Sequence, residues 1–274
     1  MSDRVTIEIT DGVADVRLNR PEKMNALDND MFEGLIEAGE SLKADNTVRA
    51  VVLSGEGKAF CAGLDFASFG KMAEPENGTR APRPSATDHE EGRITHRGQQ
   101  AAFCWTEMPA PVICAITGVA LGGGFQIAMG ADIRLIAPDA RMSVLEIRWG
   151  LVPDMTATQT LLRHVRMDVA KELTFSGRMV EGAEAVELGL ATRVSETPYD
   201  DAMALAREIA SKSPHAVRGA KRLLNAAEFR SEAERFAEER REIGELIGST
   251  NQKEAVKAYF EKRAPDFADP TDPS

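Results

Sequence analysis

Hydrophobic and polar residues alternate in two short runs at the start of the chain. The runs are residues 5–9 and 13–18, and the pair Asp11-Gly12 stands between them. Alternation with a period of two is typical of a half-buried strand, and Asp-Gly is a favoured pair for a tight turn. The pattern therefore predicts a β-hairpin.

A helical pattern follows the hairpin. Asp28 is a residue type that caps helix N-termini, and the pattern after it continues to about Lys43. Apolar residues that recur at spacings of three and four share one face of a helix. On this face lie Phe32, Leu35, Ile36 and Leu42.

The middle of the chain alternates between strand and helix patterns. Residues 50–53, 112–117 and 133–137 are short apolar runs, each of which is typical of a buried strand. Helix-compatible stretches lie between them. This alternation predicts an α/β architecture.

Two regions depart from this alternation. Residues 70–98 are rich in proline, glycine and charge without a sustained period, which predicts a long flexible surface loop with a helical piece at its end. From about Tyr199 the pattern predicts successive helices without strands. We therefore divide the chain into residues 1–198 and a helical region of residues 199–274. The predicted helices of that region are residues 200–211, 215–227, 231–247 and 252–262.

The composition is that of an ordinary globular protein, with 43% hydrophobic and 28% charged residues among 274. The net charge of −11 argues against nucleic-acid binding, which needs a basic surface. No apolar run reaches the roughly 18 residues of a membrane-spanning helix, and the N-terminus lacks a signal-peptide layout. Cys61, Cys104 and Cys114 have no metal-binding spacing and suit reduced thiols. We expect a cytoplasmic protein without a metal, a membrane or a nucleic-acid partner.

Two segments of small residues follow apolar strands. Residues 122–124 are three consecutive glycines, and residues 57–65 contain Ala59, Cys61, Ala62 and Gly63. Small residues leave room for a ligand to reach backbone N–H groups. The residues alone also allow tight turns or close packing, so both interpretations stay open.

A third segment, residues 146–154, places a carboxylate at each end of an apolar stretch. Glu146 and Asp154 are candidate acid/base groups. The residues alone favour a solvated Glu146 and an Asp154 that caps the helical pattern from Thr156.

Together these segments resemble the enoyl-CoA hydratase/isomerase (crotonase) family. Residues 19–27, NRPEKMNAL, are similar to the N-terminal signature of that family. Residues 59–65, AFCAGLD, are similar to its first oxyanion segment, and residues 111–124 are similar to its second. Order and spacing agree, and the resemblance extends from about residue 5 to residues 260–263.

The resemblance implies a crotonase-like α/β fold, a spiral of ββα units with a C-terminal helical trimerisation region, in a homotrimer or a hexamer. It also implies an oxyanion hole formed by the backbone N–H groups of Leu64 and Gly123. Two such donors stabilise the negative charge that a thioester oxygen gains when a neighbouring proton is removed. The implied partner is an acyl-CoA substrate, and coenzyme A is part of that substrate, so no separate cofactor is expected.

The resemblance also assigns contacts with coenzyme A and the acyl chain. Lys58 and residues 260–262 are additional candidates, for which solvated lysines and a core phenylalanine are the alternatives. The assigned positions are Lys23, Met24, Ala26, Ala62, Gly63, Leu64, Asp65, Gly122 and Trp149.

Hydratases of the family use two glutamates, and the chain matches one of them. Gln126 stands at the position of the first; a carboxamide can hold water or substrate but cannot exchange a proton near neutral pH. Glu146 matches the second and is the expected general acid/base. Asp154 stands where dienoyl-CoA isomerases of the family also have an acid, and it is a candidate second acid/base or a helix cap.

This set of residues predicts an enzyme that acts on unsaturated acyl-CoA thioesters, with double-bond isomerisation favoured over hydration of a 2-enoyl-CoA. A non-catalytic acyl-CoA-binding homologue and an acyl-CoA hydrolase on the same scaffold are the alternatives. Cys61 is a further candidate nucleophile, but no histidine lies near it in the sequence. Packing of a small residue is the preferred interpretation of Cys61.

Overall fold

The structure is a computed structural model that describes residues 3–65 and 92–271. The loop predicted at residues 70–98 lies outside the described residues up to residue 91. Its end is described, and a helix begins there at Arg97, as predicted.

Nine short strands form two sheets in the part of the chain that the structure describes. In chain order they are β1 (Val5–Thr10), β2 (Val13–Leu18), β3 (Ala50–Gly55), β4 (Val112–Ile116), β5 (Val119–Leu121), β6 (Ile133–Ile136), β7 (Arg141–Ser143), β8 (Val180–Glu181) and β9 (Arg193–Val194).

Strands β4 to β7 are placed alternately in the two sheets, β8 pairs with β7 in the small sheet, and β9 returns to the large sheet. The large sheet has the order β1-β2-β3-β4-β6-β9, and the small sheet has the order β5-β7-β8. In the large sheet the hairpin β1–β2 is antiparallel, and the other neighbouring strands pair in parallel. The chain therefore winds between the two sheets as a spiral.

Ten α-helices lie within residues 3–65 and 92–271, together with four short 3-10 segments. None of these helices is both long enough and apolar enough to cross a membrane. The helices are α1 (Asn29–Ala44), α2 (Arg97–Glu107), α3 (Gly123–Met129), α4 (Ala157–Thr160), α5 (Met167–Ser176), α6 (Gly182–Glu187), α7 (Pro198–Ala210), α8 (Pro214–Ala226), α9 (Glu232–Leu246) and α10 (Thr250–Glu261). The 3-10 segments are Pro21–Lys23, Glu146–Trp149, Leu161–Arg163 and Ala227–Phe229.

The predictions for the N-terminal region are confirmed. Strands β1 and β2 form the expected hairpin, in which Thr10 pairs with Val13 across the turn. Helix α1 begins after Asp28, whose carboxylate accepts a hydrogen bond from the N–H of Met31 at 2.9 Å. The predicted apolar face is turned inward. Phe32, Leu35 and Leu42 are buried, and Ile36 is half-buried.

The main core lies between the two sheets and helices α1, α2 and α3. Phe60, Trp105 and Phe125 are among its largest fully buried side chains. The indole N–H of Trp105 donates to the carbonyl of Ala101 at 3.1 Å, so the polar atom of that ring has a partner. Because β3, β4, β5 and α3 all pack into this core, the described segments beside them, residues 56–65 and 117–122, are held in fixed positions.

A smaller core lies on the outer face of the large sheet, beneath α7. Ala202, Ala206 and Ala210 are spaced by four residues and share one helical face, and their small side chains let α7 lie close to the strands. The sheet contributes alternate residues, which point to this face. They are Val13, Ala50, Val52, Ile113 and Leu135.

Helices α8, α9 and α10 follow α7, and no strand occurs among the described residues after β9. The helical character predicted for this region is confirmed. Glu242 is the one buried residue of α9, whereas Phe236 is 56% exposed and Ile243 is 53% exposed. The trimerisation role of this region and the division at residue 198 stay predictions.

Candidate active site

The two small-residue segments are neighbours in the structure. Residues 59–65 run beside β5, and the N–H of Leu121 donates to the carbonyl of Cys61 at 3.0 Å. A Cβ atom placed on Gly63 would lie 2.6 Å from the carbonyl oxygen of Leu121 and 3.8 Å from the amide nitrogen of Gly123. Gly63 has φ +85°, so both its conformation and the available space require glycine. This close approach places the amides after Gly63 and after Gly122 at one junction.

Two backbone N–H groups at this junction have no acceptor among the described residues. Those of Leu64 and Gly123 form no hydrogen bond within residues 3–65 and 92–271. Gly123 is the first residue of α3, where amides have no acceptor inside the helix. Both residues line one cavity, together with Glu146 and Trp149. Two donors without acceptors at one cavity can stabilise an oxygen atom that gains negative charge.

Glu146 lies directly beside the glycine segment. It begins the 3-10 segment after β7 and is 6% exposed, so the interpretation as a solvated glutamate is wrong. A Cβ atom placed on Gly122, which has φ +52°, would lie 3.3 Å from Oε1 of Glu146. The second oxygen, Oε2, is buried and has no hydrogen-bond partner among the described residues. The carboxylate therefore has one oxygen to which no described residue donates a hydrogen bond.

The pKa of Glu146 is raised above 4.5. Burial is the largest cause, because it penalises the charged form, and the negative charge of Asp154 acts in the same direction. The backbone of Glu146, the side chain of Gln126 and the backbone of Leu145 oppose both effects, because their N–H groups stabilise the carboxylate. A general acid/base benefits from such a raised pKa, since the group then exchanges protons more readily near neutral pH.

Gln126 is fully buried in α3 and does not line the cavity of Glu146. Its Nε2 donates to Oε1 of Glu146 at 2.6 Å. Its Oε1 accepts from the N–H of Met155 at 2.7 Å and from the N–H of Ala157 at 3.1 Å. The predicted contact of this carboxamide with water or substrate is therefore replaced by contacts inside the protein.

Asp154 is exposed and lies outside the cavity that contains Glu146. The interpretation as a helix cap is wrong, because α4 has Thr156 at its N-cap position and no side-chain capping bond. Asp154 instead lines a separate cavity of about 200 Å³. The other residues of that cavity are Ile94, Thr95, Gln99, Phe103, Val152, Pro153, Thr156, Thr158 and Gln159.

Comparison with protein families agrees with this arrangement. The family model described as enoyl-CoA hydratase/isomerase matches residues 8–270. The chain belongs to the enoyl-CoA hydratase/isomerase family. The protein is thus an enzyme of this family, as the resemblance implied.

Individual members of the enoyl-CoA hydratase/isomerase family are similar over nearly the whole chain. The chain is 36% identical over 263 residues to enoyl-CoA hydratase domain-containing protein 2, mitochondrial, of Bos taurus, with 93% of this chain and 84% of that protein covered. It is 33% identical over 264 residues to short-chain-enoyl-CoA hydratase of Clostridium acetobutylicum, with 95% and 96% covered. The crystal structure of enoyl-CoA hydratase from Mycobacterium tuberculosis H37Rv has a TM-score of 0.82 at 30% identity, with 97% of this chain and 99% of that chain covered. The predicted crotonase-like fold is confirmed.

Five of the positions that the family resemblance assigns to the substrate line the cavity of Glu146. They are Ala62, Gly63, Leu64, Gly122 and Trp149. Lys23 and Met24 are exposed beside it on the 3-10 segment and its cap, and Ala26 is buried. The N–H of Ala62 donates to the carbonyl of Met24 at 2.9 Å. The two main-chain stretches predicted to bind coenzyme A are therefore adjacent.

Asn25 holds these stretches in place, a role that the sequence analysis did not assign. It is fully buried and has φ +54°. Its Oδ1 accepts from the N–H of Arg20 at 2.8 Å, and its Nδ2 donates to the carbonyl of Ala59 at 2.8 Å. Asparagine is among the few residue types that adopt positive φ readily, and this was the available signal in the N-terminal signature.

Arg20 acts beside Asn25 and explains the position of Asp65. Its guanidinium is 10% exposed, donates to the carbonyl of Ala26 at 3.0 Å and pairs with Asp65 Oδ2 at 2.8 Å. The Asp65 carboxylate is thus engaged by a buried cation. We therefore expect main-chain atoms of Asp65 to make its contact with coenzyme A.

The remaining candidates have simpler environments. Lys58 is exposed. Phe260 is 77% exposed, so the interpretation as a core residue is wrong. Cys61 is buried, and burial raises the pKa of its thiol to about 12, which agrees with packing and not with a nucleophile. Within the two described stretches, no group of three or more His, Cys, Asp or Glu residues is arranged to hold a metal ion.

Proposed function

We propose that the protein shifts a double bond in an unsaturated acyl-CoA thioester, with Glu146 as the general acid/base. The observation that carries this proposal is the set of hydrogen bonds of Gln126, all of which lie inside the protein. Gln126 occupies the position of one of the two glutamates that hydratases of the family use, so one carboxylate is left at the cavity. Isomerisation needs one carboxylate, which removes a proton from one carbon and returns it to another.

The reaction of a 3-enoyl-CoA illustrates the roles. The Glu146 carboxylate removes a proton from C2, next to the thioester carbonyl. The electrons move to the carbonyl oxygen, and the N–H groups of Leu64 and Gly123 stabilise the resulting enolate. Protonated Glu146 then returns the proton to C4, the double bond moves to C2–C3, and the carboxylate is restored.

Hydration of a 2-enoyl-CoA is the second candidate reaction. The names of the relatives favour it, since two are enoyl-CoA hydratases and the third is an enoyl-CoA hydratase domain-containing protein. In this reaction Glu146 takes a proton from water as the oxygen adds to C3, and it then delivers that proton to C2. One carboxylate performs both steps, so the water molecule must be held in place without a second acidic residue.

A panel of saturated, 2-enoyl-, 3-enoyl- and dienoyl-CoA thioesters tests the proposal. Products are scored by mass and by chromatography for double-bond movement, water addition and loss of the acyl group. We expect conversion of a 3-enoyl-CoA to its 2-enoyl isomer at a higher kcat/KM than hydration. The reverse ranking would replace isomerisation by hydration as the main reaction.

Glu146→Gln should lower turnover of the best thioester by about 100-fold or more, the usual contribution of a general acid/base. Glu196→Gln is the matched control, because Glu196 is an exposed glutamate after β9. Full activity of Glu146→Gln would refute the assigned chemistry.

Two other activities are alternatives on the same site. A non-catalytic binder would bind acyl-CoA but would not exchange the C2 hydrogen of the thioester with deuterium from D2O. A hydrolase would release free coenzyme A, which a thiol reagent detects directly.

Asp154 is proposed as a second acid/base for longer conjugated substrates. It lies outside the cavity of Glu146, yet its charge acts on that residue. Asp154→Asn should then abolish conversion of a dienoyl-CoA while sparing that of a 3-enoyl-CoA. Equal effects on both substrates would remove Asp154 from the mechanism.

We propose that the chain assembles as a homotrimer or as a hexamer of two trimers. The helices after α7 carry large apolar side chains that a single chain leaves exposed, which is typical of subunit interfaces. Light scattering after gel filtration should give three or six times the mass of the chain. The exposed side chains are Leu224, Phe236, Ile243, Ile247, Val256, Tyr259 and Phe260.

A further inference from the structure

The carboxamide of Gln126 has a fixed orientation. Its oxygen accepts from two backbone N–H groups, those of Met155 and Ala157, and neither N–H group could accept from an NH2 group. The oxygen must therefore lie at that end of the carboxamide. Consequently its NH2 group must face Oε1 of Glu146, at 2.6 Å.

This orientation decides where Glu146 carries a proton. Oε1 already accepts a hydrogen bond from Nε2 of Gln126, so a proton on Oε1 would place two donors against each other. Oε2 has no partner among the described residues and is free to take a proton. The two oxygens of one carboxylate are thus made unequal by a neighbour that cannot titrate.

We propose that Gln126 is a positioning residue that restricts the exchangeable proton of Glu146 to Oε2 and ties the carboxylate to the backbone of residues 155–157. Its catalytic consequence rests on the proposed function, since it assumes that Glu146 is the general acid/base. The same oxygen then removes the proton and returns it. With Oε1 held by Gln126 and Oε2 free, the carboxylate is suited to moving a proton between two carbons on one face of the acyl chain.

The contacts of Gln126 exclude a direct role in binding. The residue is 0% exposed and lines neither the cavity of Glu146 nor that of Asp154. Its oxygen and its nitrogen are both engaged by protein atoms. Gln126 therefore acts through Glu146 and does not touch the substrate.

Gln126→Met and Gln126→Glu separate positioning from packing. Methionine has a similar length but neither donates to Glu146 nor accepts from Met155 and Ala157. Glutamic acid reproduces all three bonds only when it is protonated, because its O–H then replaces the N–H of the amide. Once ionised, it places a second negative charge against Glu146.

Two measurements compare these variants with the wild-type protein. The first is the pH profile of kcat/KM on the best thioester. The second is a 13C NMR titration of the Glu146 carboxyl carbon, assigned by its disappearance in Glu146→Gln. Asp154 is the described side chain whose charge is known to act on Glu146, and it is unchanged in both variants. Gln252→Met, an exposed glutamine in α10, is the control.

We expect Gln126→Met to move the acid limb of the profile and the Glu146 titration to higher pH by about one unit, the effect of losing one hydrogen bond to a charged group. Gln126→Glu should be active only in the pH range in which the introduced carboxyl group is protonated while Glu146 is ionised, and it should lose activity as pH rises above that range. An unchanged limb and titration in Gln126→Met would overturn the proposal, and so would a Gln126→Glu variant with the wild-type profile or with higher activity.

The two measurements also distinguish this inference from the proposed function. If the wild-type protein turned over no enoyl-CoA, the proposed function would fail, while the NMR titration would still test the effect of Gln126 on Glu146. If Gln126→Met did not fold, Gln126→Glu would carry the test, because its protonated form fits the wild-type hydrogen bonds.

Discussion

Replacing Glu146 by glutamine should stabilise the fold at neutral pH while it removes activity. Glu146 is 6% exposed, and burial raises the pKa of its carboxyl above 4.5. Glutamine fits the same position, since its carbonyl oxygen can accept from Nε2 of Gln126 as Oε1 of Glu146 does at 2.6 Å. Its NH2 group takes the place of Oε2, which has no partner among the described residues. The substitution therefore removes a buried charge and keeps the hydrogen bond with Gln126.

The pH dependence of this gain follows from proton binding. The folded protein binds the Glu146 proton more tightly than the unfolded chain, so above pH 4.5 the folded state holds more protons. The stability that Glu146 contributes is therefore fully present below pH 4.5 and is lost as pH rises through the raised pKa. Each unit by which the pKa is raised corresponds to about 1.4 kcal/mol in the free energy of unfolding. For a chain of this length, each kcal/mol shifts Tm by about 2–4 °C.

Urea unfolding from about pH 4 to about pH 9 measures this difference for wild type, Glu146→Gln and the exposed control Glu196→Gln. The difference is the free energy of unfolding of Glu146→Gln minus that of wild type. It should be smallest at the lowest pH and should rise to a positive plateau as pH increases. The control should show no such rise. A difference that stays constant or becomes negative at high pH would refute the raised pKa of Glu146.

Three further changes probe the same site. Gly122→Ala should lower kcat/KM by at least about 100-fold. Alanine is strained at φ +52°, and its Cβ would lie 3.3 Å from Oε1 of Glu146. Near-wild-type kinetics would contradict the close contact. Asp154→Asn should move the acid limb of the pH profile to lower pH, since loss of its charge lowers the pKa of Glu146, and an unmoved limb would exclude that coupling. Cys61 in the folded protein should resist iodoacetamide at about pH 8, because its pKa is about 12, and rapid modification seen by mass spectrometry would show an accessible thiolate.

Features with a local cause were predictable from the sequence. The turn at Asp11-Gly12 and the cap at Asp28 depend on residues within a few positions, and both are present. The glycine segments were also visible, because three consecutive glycines have few structural uses. What remained open was their purpose. Close packing and access to backbone N–H groups both require small residues, and the structure shows the two at once around Gly63.

Features that depend on distant contacts were not predictable in this way. The partners of Gln126 are 20, 29 and 31 residues away along the chain, and no local pattern marks them. The sequence indicated a missing acid at this position, but not a side chain used wholly inside the protein. Asp154 illustrates the same limit, since its spacing from Glu146 suggested a second acid/base while its place before the helical pattern from Thr156 suggested a helix cap. The φ of +80° at Thr156 excludes regular helix there and leaves Asp154 exposed.

The chemistry open to Glu146 follows from the kind of neighbour it has. A second carboxylate at position 126 would share a proton with Glu146, and the two pKa values would be driven apart by like charge. An amide cannot do this. It lowers the pKa of Glu146 through one hydrogen bond, while burial and Asp154 raise it. The resulting pKa belongs to one carboxylate, and it changes little while a proton is moved between two carbons of the substrate. A site built this way is suited to giving back the proton that it takes, which the proposed isomerisation requires and which hydration by a single carboxylate would require as well.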